Sequence, residues 1–204
     1  MSDTQTPGPS ASERPQGKNA PLGGDASAQA ANVEAIFVPG GPVLHARSAQ
    51  DATLAPDLWR WPEVADAAAL AADVAAVVPL QSWLEHGESW RRQGARRGVR
   101  LVGHDDAKAL SGHLSGLSLI AVEFPVFNDG RGFSAGRHLR QQLGWEGEMR
   151  AIGDILVDTV NYLARCGFDS FQLKPGHDPE LARRQLQLFP RPYQRGYRPL
   201  SEAA

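Results

Sequence analysis

The sequence lacks the residues that redox chemistry or binding through bulk charge would require. Its 204 residues include a single cysteine, which excludes an internal disulfide, a Cys-x-x-Cys redox pair and a cysteine-ligated iron–sulfur cluster. No stretch approaches the roughly 18 apolar residues of a membrane span, and no secretory signal is visible. With 21 basic and 23 acidic residues, the net charge of −2 excludes nucleic-acid binding by bulk charge. We therefore expect a cytoplasmic protein with no nucleic-acid or membrane partner.

Metal and nucleotide motifs are also missing. The six histidines are scattered and none forms a close pair, so no metal site is expected. Gly130-Arg131-Gly132 is not a nucleotide fingerprint, because Ala135 stands where a further glycine would be needed, and there is no Walker sequence. These absences argue against a standard dinucleotide or triphosphate site. No cofactor is evident, although a bound flavin stays open.

The chain divides into a tail and one domain. Residues 1–32 are rich in Ala, Ser, Gly, Pro and Gln with almost no large apolar side chains, which predicts a disordered tail. Residues 33–204 can form a single domain with a sizeable core. Two short apolar runs, 35–38 and 43–46, flank a Pro/Gly turn and predict a hairpin or an edge element. The alanine-rich stretch 64–73 is typical of a helix.

From residue 74 onward, apolar runs alternate with helical patterns at intervals of about 20 to 30 residues. This alternation is typical of an α/β fold with parallel strands and right-handed crossovers. About five β-α units are too few for an eight-fold barrel. The expected fold class is therefore α/β, with either a mostly parallel open sheet or a partial barrel. The predicted strands are 75–80, 98–102, 117–124, 148–152 and 170–173, and the predicted helices are 81–93, 107–114, 134–143, 154–166 and a last helix from 178.

The loops after the last three strands form the candidate site, because parallel α/β folds bind ligands at the carboxyl ends of their strands. Residues 128–134 combine two glycines, an arginine and a helix start. Backbone amides beside a guanidinium predict a site for phosphate, sulfate, sulfite or carboxylate. The alternative is a strand-to-helix turn in which Asp129 and Ser134 only cap backbone amides. The predicted oxyanion ligands are Gly130, Arg131, Gly132, Ser134, Arg150 and Lys174.

Two carboxylates on these loops, Asp129 and Asp154, are the candidate acid–base groups. Asp154 has an alternative interpretation as the cap of the helix that follows it. His177 lies beside Lys174 and is either a functional group or an exposed loop residue. Cys166 falls on the apolar face of its helix, which predicts a small packing residue rather than a nucleophile. We interpret the basic and aromatic segment 189–198 as a docking or packing element.

The stretch from about 99 to 195 resembles a bacterial family, the domain of unknown function 934. The resemblance depends on Phe124-Pro125-Val126-Phe127-Asn128-Asp129-Gly130-Arg131-Gly132-Phe133-Ser134, on Gly147-Glu148-Met149-Arg150-Ala151-Ile152-Gly153-Asp154, and on Arg165-Cys166-Gly167-Phe168-Asp169-Ser170-Phe171. Phe133 departs from the tyrosine expected in many relatives. Family members look like proteins encoded beside assimilatory sulfite reductase, and some are labelled probable oxidoreductases. The resemblance implies a context in assimilatory sulfate reduction, and it brings no catalytic residues with it.

Three functions remain open from the sequence. The first is an accessory protein that supports sulfite reductase or its electron donor and holds an oxyanion on the Asp129–Ser134 loop and Arg150. The second is an enzyme, either a flavin-dependent oxidoreductase or a lyase- or isomerase-like protein that uses Asp129, Asp154 or Lys174. The third is a purely structural partner that stabilises a complex. A bound flavin would favour the oxidoreductase, since the chain has no redox group of its own.

Overall fold

A computed structural model describes Met1 and residues 39–47, 51–63 and 70–188. Apart from Met1, the predicted tail at 1–32 lies outside these residues. So do the apolar run 35–38, most of the predicted helix at 64–73 and the segment 189–198. Residues 70–73, at the end of that predicted helix, are not helical.

The described residues form strands and helices in the predicted alternation, followed by a final helix. The five strands predicted from residue 74 onward are all present. A 3-10 turn at Ala107–Leu110 replaces the helix predicted over 107–114, and another at Val157–Thr159 precedes the helix that begins at Val160. No described helix has the length and hydropathy needed to cross a membrane. The strands are β1 Pro42–His45, β2 Thr53–Pro56, β3 Ala76–Pro79, β4 Arg97–Leu101, β5 Leu117–Phe124, β6 Glu148–Gly153 and β7 Ser170–Phe171, and the helices are α1 Leu80–Arg92, α2 Arg131–Gln141, α3 Val160–Arg165 and α4 Pro179–Leu188.

All seven strands belong to one mostly parallel sheet in the order β2-β1-β7-β6-β5-β4-β3. Strands β3 to β7 are parallel neighbours, which confirms the α/β prediction. Strand β1 runs antiparallel to both β7 and β2. Strand β2 was not predicted, because residues 51–63 show no clear hydrophobic period. Strand β1 overlaps the predicted run 43–46, but it pairs with β2, which follows it in the chain. The predicted partner run 35–38 lies outside the described residues, so the predicted hairpin stays a prediction.

The sheet curls enough for one short segment to connect its two edges. A flat sheet of seven strands would hold β2 and β3 about 28 Å apart. Yet Arg60, only about four residues after β2, pairs in parallel with Ala76 of β3, and about four residues span at most 14 Å. We call residues 57–63 the seam, because they connect the two edges. Of the two arrangements left open by the sequence, the barrel-like one matches this geometry.

Strand alternation divides the core between the two faces of the curled sheet. On the outer face, Ile120 and Val122 of β5 belong to the same cluster as the buried residues of the helices. On the inner face, Leu119 and Ala121 of β5 pack with Trp59 of the seam. The middle of the interior is thus filled with apolar side chains, which leaves charged residues at its two ends.

Candidate functional site

The three predicted loops share one rim of the barrel. Strands β5, β6 and β7 are parallel neighbours, so the segments that follow them leave the sheet at the same end. These segments carry Asp129 and Arg131 after β5, Asp154 after β6, and Lys174 after β7. The rim predicted from strand polarity therefore exists.

Asp129 and Arg131 form a closed ion pair on this rim. Arg131 Nε and Nη2 donate to the Asp129 carboxylate at 3.0 and 2.6 Å, and the Arg131 backbone amide donates to it at 3.0 Å. These hydrogen bonds hold the pKa of Asp129 below its usual range. The Arg131 side chain is 66% exposed, so the guanidinium faces solvent even though its charge is matched.

Neither glycine of the 128–134 loop is required by its backbone angles. Helix α2 begins at Arg131, three residues before the predicted start, and neither Gly130 nor Gly132 has a positive φ. A Cβ on Gly132 would come within 2.5 Å of the Phe124 ring, so packing requires that glycine. A Cβ on Gly130 would meet nothing within 4 Å. Ser134 Oγ donates to the Gly130 carbonyl at 3.4 Å, so this hydroxyl does not cap a backbone amide.

Asp154 connects all three rim segments. Its Oδ2 accepts a hydrogen bond from the Phe127 amide at 3.0 Å, and Lys174 Nζ lies 3.0 Å from its Oδ1. Gly153 makes this possible, because its φ is +96° and a Cβ there would lie 2.3 Å from the Phe124 carbonyl oxygen. The next helical turn begins only at Val157, so the helix-cap interpretation of Asp154 is wrong.

Arg150 is not part of the rim. It is buried inside the barrel towards the amino ends of the parallel strands. There it donates to Asp57 at 2.8 Å and to Glu148 at 2.7 Å. Ser170 Oγ also donates to Glu148 at 2.7 Å, and His45 Nδ1 lies 3.7 Å from Glu148. The structure therefore does not bring Arg150 to the predicted oxyanion loop. We call these five residues the amino-end cluster.

A second charged group lies at the carboxyl end of the interior, and sequence reasoning missed it. Arg100 and Glu123 are the penultimate residues of β4 and β5, and Arg100 Nε lies 3.6 Å from Glu123 Oε2. Glu63 of the seam lies 4.0 Å from Arg100 Nη2. We call these three residues the carboxyl-end cluster. One available signal was Glu123 itself, a charged residue inside the otherwise apolar end of β5.

The environment of Glu123 is unusual for a carboxylate. Its side chain is 14% exposed, and among the described residues its buried Oε2 accepts no hydrogen bond. Burial raises the pKa of Glu123, and Arg100 offsets this effect only in part. A carboxyl group of this kind, at the carboxyl end of a central parallel strand, is placed where barrel proteins carry their ligands.

His177 and Cys166 are the other two residues that the sequence singled out, and both are half-buried. His177 is half-buried in a turn in which its own amide donates to the Lys174 carbonyl at 3.2 Å. Cys166 is half-buried, and burial raises the pKa of its thiol, which is the opposite of what a nucleophile needs. Within the described ranges, no three or more His, Cys, Asp or Glu side chains are arranged so that they could hold a metal ion.

Together, the fold and the site define a barrel-like α/β protein with charged clusters at both ends of its interior and a polar rim at one of them. The chain belongs to the family DUF934, described as bacterial proteins of unknown function, whose family model matches residues 98–201. The match begins within β4 and includes the rim as well as Arg100, Glu123 and Arg150. Strands β1 to β3 and the seam precede it. No curated protein matches the chain.

Proposed function

We propose that the protein is an accessory factor of assimilatory sulfite reduction. In this proposal it binds a small oxyanion on the carboxyl-end rim and docks on sulfite reductase or its electron donor. The sulfur context is what the resemblance of residues 124–134 and 147–154 implies. The observation that carries the chemical part is that Arg131, Lys174 and the start of α2 all lie in segments at the same end of the parallel sheet.

The rim offers donors for an anion at low net charge. Arg131 and Lys174 are 66% and 40% exposed, and each faces a carboxylate that holds it in place. The start of α2 adds backbone amides and the positive end of the helix dipole, while Gly130 leaves the space beside it open. Because Arg131 and Lys174 are each already paired with a carboxylate, we expect the anion to bind weakly and reversibly. Such binding suits a protein that passes the anion on rather than one that retains it.

The same loop offers a surface for a partner protein. Val126 and Phe127 are 44% and 53% exposed, and they lie in the segment that Asp154 anchors to the rim. Exposed apolar side chains beside charged groups are typical of protein contacts. A partner seated on Val126 and Phe127 would therefore lie beside the bound oxyanion.

Growth of a deletion strain on single sulfur sources tests the proposal. We expect growth on sulfide and failure on sulfate and sulfite, because the defect would lie at sulfite reduction. Complementation with Arg131→Ala or Lys174→Ala should restore growth only in part. Arg183→Ala is the matched control, since Arg183 lies on α4 in an ion pair with Glu180 and belongs to no rim loop. Phe127→Ser should weaken co-purification with sulfite reductase.

Equal growth of the deletion strain on all three sulfur sources would refute the sulfur context. The alternative, a flavin-dependent oxidoreductase in which Asp129 or Asp154 acts as an acid–base group, has a separate readout. A yellow purified protein with flavin absorbance would favour it, whereas a colourless protein that still complements the deletion would favour the accessory role.

A further inference from the structure

Arg100 differs from the other arginines placed near the core. Arg97, Arg140 and Arg150 each donate several hydrogen bonds to described residues. The Arg100 side chain is 23% exposed, and among the described residues its guanidinium donates no hydrogen bond. Its two carboxylate neighbours, Glu123 and Glu63, lie at 3.6 and 4.0 Å. The Arg100 donors are therefore open to a ligand or to solvent.

Glu123 also lacks a hydrogen-bond partner among the described residues, in its case as an acceptor. Its buried Oε2 faces Arg100 from 3.6 Å without accepting a hydrogen bond from any described residue. At that separation, two neighbouring atoms of one ligand can contact the two groups at ordinary hydrogen-bond distances of about 2.8 Å. The two side chains therefore present hydrogen-bond donors and an acceptor next to each other at the carboxyl end of the interior, which we call the mouth.

The charges around this mouth restrict what can bind. Glu63 stands at the outer edge, and Glu63 and Asp105 are both close enough to raise the pKa of Glu123. A simple anion on Arg100 would be repelled by these carboxylates. A simple cation on Glu123 would be attracted by Glu63 and Asp105, but it would leave the Arg100 donors without an acceptor. A molecule with one charge of each sign on neighbouring atoms satisfies both sides.

We propose that the carboxyl-end cluster binds a small zwitterion of the α-amino acid class. Its carboxylate would accept hydrogen bonds from Arg100, and its ammonium group would donate to Glu123 and face Glu63. In an α-amino acid the two charged groups are attached to one carbon, which matches the close approach of Arg100 and Glu123. The residues of this site belong to β4, β5 and the seam, whereas the oxyanion donors Arg131 and Lys174 lie in the segments that follow β5 and β7.

Calorimetric titration of the full chain tests the proposal. The proteinogenic L-amino acids are screened first, and the strongest binder is then compared with its amide and its N-acetyl derivative, which each lack one charge. We expect binding only when both charges are present. Arg100→Gln and Glu123→Gln should each weaken it about 10- to 100-fold, as expected for the loss of a charged hydrogen bond. Arg183→Gln is the matched control on α4 and should bind with unchanged affinity.

Three results would overturn the proposal: no amino acid binds, the N-acetyl derivative binds as well as the parent, or both cluster variants bind as well as the natural chain. If Arg100→Gln fails to fold, as judged by circular dichroism, Glu63→Gln supplies the test. Glu63 is 75% exposed, so its replacement leaves the core intact and should still weaken binding several-fold. Because the probes are amino acids, failure here leaves the oxyanion proposal standing, and the reverse also holds.

Discussion

At the amino end of the barrel interior, Arg150 donates hydrogen bonds to Asp57 and Glu148 and is 2% exposed. At the carboxyl end, Arg100 stands 3.6 Å from Glu123 and donates to no described acceptor. Both arginines project into the same interior, Arg100 from β4 and Arg150 from β6. The difference indicates that the amino-end cluster stabilises the fold, whereas the carboxyl-end cluster, in our proposal, serves a ligand.

Replacing the two arginines is the strongest way to break this comparison. Arg150→Met leaves the fully buried Asp57 carboxylate without a counter-charge, so we expect a loss of about 3–5 kcal/mol in the free energy of unfolding. Arg100→Met removes a longer contact without hydrogen bonds and should cost less than about 1 kcal/mol. Urea denaturation measures both. Equal losses would show that the two ends serve the same structural purpose.

A pair of glycines sharpens the comparison within the carboxyl end. In Gly153→Ala, the alanine would have to adopt the left-handed φ of +96°, and its Cβ would lie 2.3 Å from the Phe124 carbonyl oxygen. We therefore expect a loss of more than about 1 kcal/mol, with displacement of Asp154 from the Phe127 amide. Gly130→Ala is the matched control, since a Cβ there meets nothing within 4 Å. Thermal unfolding and hydrogen exchange at Phe127 report both changes, and a tolerated Gly153→Ala would contradict this account of the rim.

The smallest expected effect concerns pH. Burial raises the pKa of Glu123 in the folded state. Its contribution to stability is therefore complete below the unfolded pKa, about 4.3, and is lost as pH rises through the higher folded pKa. Glu123→Gln should be more stable than the natural chain at neutral pH, and this advantage should disappear in acid. Urea denaturation at a series of pH values measures this difference in stability. Glu88 is exposed, so Glu88→Gln is the control, and its difference in stability from the natural chain should not change with pH. A destabilised Glu123→Gln at neutral pH would show that Arg100 needs the charge.

Most of the parallel sheet could be predicted because its strands carry local signals. Residues 117–124 form an apolar run bounded by turns, and β5 has those bounds. The seam could not be predicted, since it is defined by long-range pairing. Trp59 and Arg60 have no local period, and their roles become visible only when Arg60 pairs with Ala76. The barrel-like closure follows from that pairing, so the sequence could only leave it open.

The site was predictable to the extent that strand polarity fixes it. Polarity placed Asp129, Asp154 and Lys174 on one rim, and the structure has them there. Local sequence does not reveal which side chains meet across the barrel. Arg150 therefore looked like a ligand-binding residue, although its partner Asp57 is 93 positions away in the chain. Glu123 was missed for the same reason, because its environment depends on Arg100 of a different strand.

The contact between Asp57 and Arg150 also bears on how the chain folds. Local β-α units can assemble early, whereas a contact of such large sequence separation closes a long loop and tends to slow folding. The seam belongs to the part of the chain that precedes the family match at 98–201. A fragment limited to that match would lack β3 and β1, leaving β4 and β7 as unprotected edges open to pairing with other molecules. Aggregation of such a fragment would therefore report an unclosed barrel rather than a lost function.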